Sequence, residues 1–541
     1  MCSNLHRCSG RQHRNDFVIP PIKRCKLEKN FFHNLFVTKR GLPYLFLLMM
    51  SAVIILGAIL TKSFWTDEIL SIKFATQTGN SFLNTLAKDY HPPLYFIMLK
   101  LWIYAFGTGE IALRVFQFII CYIFLCSVFI LFKKIYPQRL HPLFILFLLS
   151  SELWLFTPML RYYSFAASLV MFSTIIFFNW ITYKKNKDFY LLTLIYILLL
   201  YTDYPSSIII LINFIYLLIK EKGLLIKHFI AIIISILAFI PWQLILYHQL
   251  GKLLSGDQSA DLNNSPFSIL LKVFYSIYAF VFGETIFPFE TIFIVGIFLL
   301  LIVIMGGTKF SSFFNKNKDK AYLFYSVITI IIGIFFTSLL TTFISKHTSF
   351  IYTPSRTYFV LPFIFVFLSF FYDKLKNNNW QIIFLIIFFL LNSYSIFNLL
   401  SNRHFLMPVY ASPWKEILNE LKYKEGAILA DEGFVYEYYS HYLPGKFPLQ
   451  INSDTKSDFI KTLKGEGIDT LYLLLLGRES TEPTINDTII TFTLNNFKKT
   501  NEKFYLPLPE SYRKIKSNIL KRKSYNAKFT LMKFIIPKTM L

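Results

Sequence analysis

The chain has 541 residues, of which 55% are hydrophobic and 19% aromatic, and it carries a formal net charge of +24. Mean hydropathy is +0.49, and apolar runs of roughly 15 to 22 residues recur along most of the length, which excludes an ordinary soluble domain and reads as a multi-pass membrane protein. So large a cationic excess raises nucleic acid or acidic lipid as a partner, and its placement along the chain decides between them.

Residues 1–40 form a basic leader with Arg7, Arg11, Arg14, Lys23, Arg24, Lys26, Lys29, Lys39 and Arg40 against Asp16 and Glu28. The apolar run from Leu42 to Leu60 follows. The basic region is too long for a signal peptide and no small-residue cleavage site follows, so the leader is expected in the cytoplasm and the run as an uncleaved anchor. Further spans are predicted at 111–132, 142–157, 162–183, 189–202, 205–219, 228–247, 289–306, 321–341, 357–372 and 380–398, about eleven with the first. With the N-terminus inside, the cytoplasmic segments hold 24 Lys and Arg and the outer segments 9. The excess is therefore topology and calls for no nucleic acid. Keeping this parity requires 91–106 and 266–284 to be interfacial helices on the outer side, the first opened by His91-Pro92-Pro93, since proline suits a first turn.

The outer segment 61–110 carries the densest chemistry. Phe64-Trp65-Thr66-Asp67-Glu68 comes just after the first span, and Asp89-Tyr90-His91-Pro92-Pro93-Leu94 comes 22 residues after Asp67. Acidic residues beside lipid are costly and mark sites of function. They also suit the first turn of a helix capped by Ser63 or Thr66, a reading that leaves Asp89 unexplained. Arg114, Arg161 and Arg356 fall at outward span ends, against the rule that sorts cations inward. Snorkelling to headgroups accounts for one such arginine. Three of them with His91 and Lys100 read better as a grip on a phosphate, which the planar guanidinium fork matches. Tyr162, Tyr163 and the Tyr201-Thr202-Asp203-Tyr204 cluster suit an aromatic belt or the face of a sugar ring, and Glu152 is a weaker candidate.

After Asn398 the pattern changes. Segment 400–541 alternates helix-like and strand-like stretches: Trp414–Leu421, Ala427–Ala430, Phe434–Tyr442, Asp458–Leu463, Thr470–Leu475 and a strand around Lys528–Pro537. A small extracytoplasmic α/β domain is expected there, behind the transmembrane domain at 41–399. Cys2, Cys8 and Cys25 lie in the leader and Cys121 and Cys126 in a span, so neither an outward disulfide nor a metal pair is expected. There is no solenoid period, Gly-rich phosphate loop or GxSxG elbow, and nucleotide chemistry is unsupported.

The order Trp65-Thr66-Asp67-Glu68, Asp89-x-His91-Pro92-Pro93-Leu94-Tyr95, Ala112-Leu113-Arg114, Arg161-Tyr162-Tyr163-Ser164, Tyr201-Thr202-Asp203-Tyr204, then Arg356-Thr357-Tyr358 with Pro362 resembles the membrane glycosyltransferases of family 39. These are GT-C fold enzymes that include protein O-mannosyltransferases and lipid A aminoarabinose transferases. The resemblance covers residues 40–375, and the tail from Pro413-Trp414-Lys415-Glu416 also resembles bacterial members. The aminoarabinose transferases carry Glu-Lys where this chain has Tyr90-His91, so the match is closer to the O-mannosyltransferase pattern, although the inserted luminal domain of the eukaryotic enzymes is missing.

The resemblance implies a GT-C membrane protein in the cell (inner) membrane, with a polyprenyl-phosphate sugar donor and inverting transfer at the outer face. The acceptor is left open among lipid, glycan and protein. By position, Asp67 is implied as general base, with Glu68 and Asp89 shaping its field or placing the acceptor. His91, Arg114, Arg161 and Arg356 are implied at the departing phosphate, and Tyr162, Tyr163, Asp203, Tyr204 and Tyr358 at the substrate. A sugar hydroxyl is a poor nucleophile that such a base activates, and the guanidinium groups suit the growing phosphate charge. No cofactor is required, and no metal, although the acids can hold a divalent one. The alternatives are a transporter or lipid-linked sugar flippase, which should show related halves and midplane charges, an envelope polysaccharide polymerase, and a membrane scaffold.

Overall fold

A computed structural model describes residues 42–60, 62–88, 91–138, 140–255, 266–307, 320–343, 353–404, 408–453, 455–477, 485–505, 514–515 and 528–537. The basic leader 1–40 and Asp89 lie outside the described residues. The chain divides into two compact units, Met1–Met50 and Ser51–Leu541. The described part of the first, from Leu42, opens the helix Leu42–Ile59.

Every predicted span falls on helix. Five helices are long and apolar enough to cross a membrane: Glu110–Ile135, Tyr163–Tyr183, Lys222–Tyr247, Ala321–Leu340 and Asn378–Leu400. Shorter apolar helices occupy Pro43–Gly57, Leu94–Phe106, Pro205–Lys220, Ile269–Phe282, Thr291–Gly307 and Tyr358–Tyr372. One predicted span divides: 142–157 is two short helices, Pro142–Leu148 and Ser151–Phe156. The first is capped by His141, whose Nδ1 accepts from the Leu143 N–H at 3.2 Å, and the second starts with the Ser151 N–H on Asn392 Oδ1 at 3.3 Å. Both caps satisfy amides that a helix end leaves without intrahelical partners.

The segment after the first apolar helix is two helices, Thr66–Thr76 and Gly79–Lys88, followed by Leu94–Phe106. Pro92 and Pro93 lack N–H groups, so the first donor of the last helix is Leu94, which gives its N–H to the Tyr201 carbonyl at 2.9 Å. That bond ties the His91 turn to the Asp203 loop.

The tail carries a five-stranded sheet of order β2-β1-β3-β5-β4, with β1 Ala427–Ala430, β2 Leu449–Gln450, β3 Thr470–Gly477, β4 Lys498–Tyr505 and β5 Lys528–Ile535. β1 runs parallel to β2 and β3, while β5 is antiparallel to β3 and β4. Helices Gly433–Tyr442 and Lys456–Gly465 connect β1 to β2 and β2 to β3. Leu429, Leu471, Leu473 and Phe534 from the sheet bury against Phe459, Leu463 and Ile489 from the helices, each worth about 1.5–3 kcal/mol of burial. Because β2 and β3 lie on opposite sides of β1, the C-terminal end of β1 is a topological switch point, the place where open α/β sheets leave a crevice.

Candidate active site

Asp67 and Glu68 sit together in the first turn of Thr66–Thr76, where helix dipole and free amides favour carboxylates, yet they face different surroundings. Glu68 is buried. Its Oε2 accepts the Trp65 N–H at 2.9 Å and its Oε1 the Leu160 N–H at 2.7 Å. The Arg114 guanidinium lies 3.6 Å from the same Oε1. Burial pushes the Glu68 carboxyl above its usual range, opposed by Arg114 and the two amides. Arg114 also donates to the carbonyls of Pro158 and Lys62, at 3.4 and 3.3 Å, and stacks 4.0 Å over Phe64. Glu68 and Arg114 thus brace the turn that presents Asp67.

The Asp67 side chain is 36% exposed, and its Oδ2 lies 3.8 Å from Arg161 Nη2. Arg161 is held in place by the Asp67 carbonyl at 3.2 Å and Ser71 Oγ at 3.0 Å. Its Nη2 reaches His91 Nε2 at 3.5 Å, and Arg356 Nη1 reaches the same nitrogen at 2.7 Å. A guanidinium has no acceptor, so His91 Nε2 accepts in both contacts and the ring's proton sits on Nδ1. Arg356 also donates to the Tyr162 hydroxyl. Tyr162 lies tilted beside His91 with centroids 5.0 Å apart, and Tyr163 meets Tyr162 edge-on at 4.9 Å. Asp203 is buried near Arg356, and its Oδ2 accepts the Ser206 N–H at 2.9 Å and the Ser206 hydroxyl. Burial raises the Asp203 carboxyl, with Ser206 and Arg356 opposing.

The structure therefore gathers Asp67, His91, Arg161, Arg356, Tyr162 and Asp203. Four other expected residues point elsewhere. Arg114 serves Glu68. The Tyr204 hydroxyl accepts from Trp242 Nε1 at 2.9 Å and donates to Gln249 at 3.2 Å. Buried Tyr358 meets Thr157 Oγ1 at 2.6 Å between Phe124 and Phe156. Lys100 turns away too, donating to the carbonyls of Gln77 and Ala75. Among the described residues no group of three or more His, Cys, Asp and Glu is placed to hold a metal ion.

The sequence reading missed three features. Lys62 lines a cavity of about 30 Å³ with Trp65, Glu68, Arg114 and Tyr410, and burial lowers its pKa from 10.5 to about 8. Tail residues Lys415, Glu432 and Tyr439 bond directly to segment 60–66. A larger, mainly apolar cavity of about 400 Å³ is lined by Tyr204, Ile208, Leu211, Phe214, Phe229 and Phe336.

No protein-family model matches this chain, and no curated protein matches it. Among solved structures the chain is similar to the crystal structure of ArnT from Cupriavidus metallidurans bound to undecaprenyl phosphate, at TM-score 0.47 and 9% identity over 91% of this chain and 98% of that one. It is similar also to the crystal structure of the same ArnT in the apo state, at TM-score 0.47 and 10% identity with the same coverage.

Proposed function

We propose that this chain is a GT-C membrane glycosyltransferase that moves a sugar from a polyprenyl-phosphate donor to an acceptor hydroxyl at the outer face of the membrane. One observation carries the reading: the partly exposed Asp67 carboxylate stands at the edge of a cluster in which Arg161 and Arg356 converge on one neutral imidazole. Two guanidinium groups that converge on one imidazole suit an arriving anion, and the fork geometry suits phosphate oxygens.

In this mechanism Asp67 takes the proton from the acceptor hydroxyl as its oxygen attacks the anomeric carbon from the side opposite the phosphate. The C1–O bond breaks, its electron pair leaves with the polyprenyl phosphate, and configuration inverts. Arg161 and Arg356 stabilise the charge that develops on the phosphate, and they are already held in position before the reaction. Arg161 bonds to the backbone of Asp67 itself, so base and anion site are fixed relative to each other. Tyr162 and Tyr163 offer aromatic faces to the sugar ring. Glu68 and Arg114 act through the turn rather than on the substrate.

The test is transfer from a radiolabelled polyprenyl-phosphate sugar by the full chain in lipid nanodiscs. Asp67→Asn should retain donor binding and lose turnover by about 10²–10⁴-fold, the range expected for removing a general base. Near-normal turnover in that variant rejects the assignment.

A further inference from the structure

The loop that carries Asp67 is gripped from the tail at four points. Lys415 Nζ donates to the Leu60 carbonyl at 2.9 Å, and the Lys415 N–H donates to Ser63 Oγ at 2.9 Å. The Phe64 N–H donates to the Tyr439 hydroxyl, and the Thr66 hydroxyl donates to Glu432 Oε2 at 2.5 Å. Ring contacts reinforce these bonds: Phe64 meets Tyr438 edge-on at 6.0 Å, and Lys73 lies 5.3 Å over Phe434.

Glu432 occupies the switch-point end of β1. Its neighbour Asp431 fastens that end to β3, giving its N–H to Leu474 O at 2.9 Å and accepting the Leu476 N–H at 3.3 Å. Glu432 itself is buried and adopts φ 56, ψ 46, a left-handed conformation that side-chain-bearing residues take at a cost. The C-terminal end of β1 is thereby joined to Thr66, the residue before Asp67. The Asp67 carboxylate meets Arg161 at 3.8 Å, longer than a hydrogen bond, so the backbone of the helix's first turn shares in placing it. Glu68 holds that turn from one side and Glu432 from the other.

We infer that Glu432 is a positioning residue: through its bond to Thr66 the tail domain sets the direction of the Asp67 carboxylate. This rests on the reading of Asp67 as the base. The experiment uses the full chain in nanodiscs, with hydrogen exchange at amides 66–71 and transfer kinetics measured on Glu432→Ala, Glu432→Gln, Thr66→Val and the Glu432→Ala/Thr66→Val double variant. Glu420→Gln, whose carboxylate bonds Lys503 at 2.5 Å and Tyr505 at 2.6 Å, serves as the control.

Loss of one such bond should speed exchange at 66–69 by about tenfold and lower kcat by a similar factor with KM within about twofold. Glutamine, which keeps an acceptor oxygen, should restore most of both. The double variant should be no worse than the poorer single one, and the control should match the wild type. Unchanged exchange or unchanged kcat in Glu432→Ala overturns the inference. If the wild type transfers no polyprenyl-linked sugar, the reading of Asp67 falls, and the exchange data alone decide whether Glu432 orders the turn.

Discussion

Arg114 Nη1 lies 3.6 Å from Glu68 Oε1 with both side chains buried, while the adjacent Asp67 is 36% exposed. Neighbouring carboxylates in one helical turn thus carry different loads. Removing the arginine leaves Glu68 as an uncompensated buried charge, a loss that typically costs about 3–5 kcal/mol. Arg114→Ala should therefore lower thermal stability by an amount in that range, whereas Glu68→Gln, which keeps an acceptor for the Trp65 and Leu160 amides, should cost less. Thermal melts of the purified variants decide this; a neutral Arg114→Ala would remove the brace from the description.

The two arginines at His91 should separate in kinetics from the base. Arg356→Ala removes a donor to both His91 and Tyr162 without touching Asp67. Apparent KM for the lipid-linked donor should rise by about tenfold, the loss expected for one charge-assisted hydrogen bond. Arg356→Lys should recover little, because a lysine ammonium lacks the planar fork. An unchanged KM would take Arg356 out of the phosphate site.

How much of this was legible from residues alone depends on what fixes a side chain's direction. The Asp67-Glu68 pair after an apolar run and the arginines at the ends of apolar runs stand out because charge near lipid is costly wherever it points. Arg161 and Arg356, both expected from the sequence at a phosphate, each reach His91 Nε2. Which neighbour each residue chooses is another matter. Arg114, Tyr204 and Tyr358 lie in the right stretches, but helix rotation gives them to Glu68, Gln249 and Thr157. Contacts across hundreds of residues, such as Thr66 to Glu432, leave no trace in local pattern. The tail shows the same limit. β3 is apolar and read easily, while β4, Lys-Lys-Thr-Asn-Glu-Lys-Phe-Tyr, is an exposed edge strand without hydrophobic alternation.

Lys62 predicts an alkaline signature. Its Nζ donates to the Leu399 carbonyl and to Asn402 Oδ1, the latter at 2.8 Å, but burial still lowers its pKa to about 8. An unfolded lysine titrates near 10.5, so below pH 8 both states are protonated and the folded state bears the full desolvation penalty. Between about pH 8 and 10.5 the unfolded chain binds more protons, and stability should rise with pH through that window. Lys62→Met should flatten the rise. Amine acylation followed by peptide mass mapping should also show Lys62 reacting at pH 8 ahead of the surface lysines; a reaction order no different from theirs would contradict the lowered pKa.

Glu284 predicts the opposite slope. It follows Gly283, whose φ of +93° and close approach to Ser151 and Ser395 leave no room for a side chain. The Glu284 N–H donates to Glu152 Oε1 at 2.8 Å, and the His404 ring lies 3.7 Å from Glu284 Oε2. Burial first, and then the charge of Glu152, push the Glu284 carboxyl well above its ordinary 4.5, with Tyr275 opposing. The unfolded chain ionises this group at ordinary acidity while the folded chain keeps its proton. The contribution of this group to stability is therefore complete below pH 4.5 and is lost progressively as pH rises toward the folded pKa. Glutamine imitates the protonated form, so Glu284→Gln should melt higher than the wild type at neutral and alkaline pH and show a shallower decline. Melting temperatures measured every half unit across that range test it, and parallel curves for the two proteins would show that Glu284 is ionised in the folded chain.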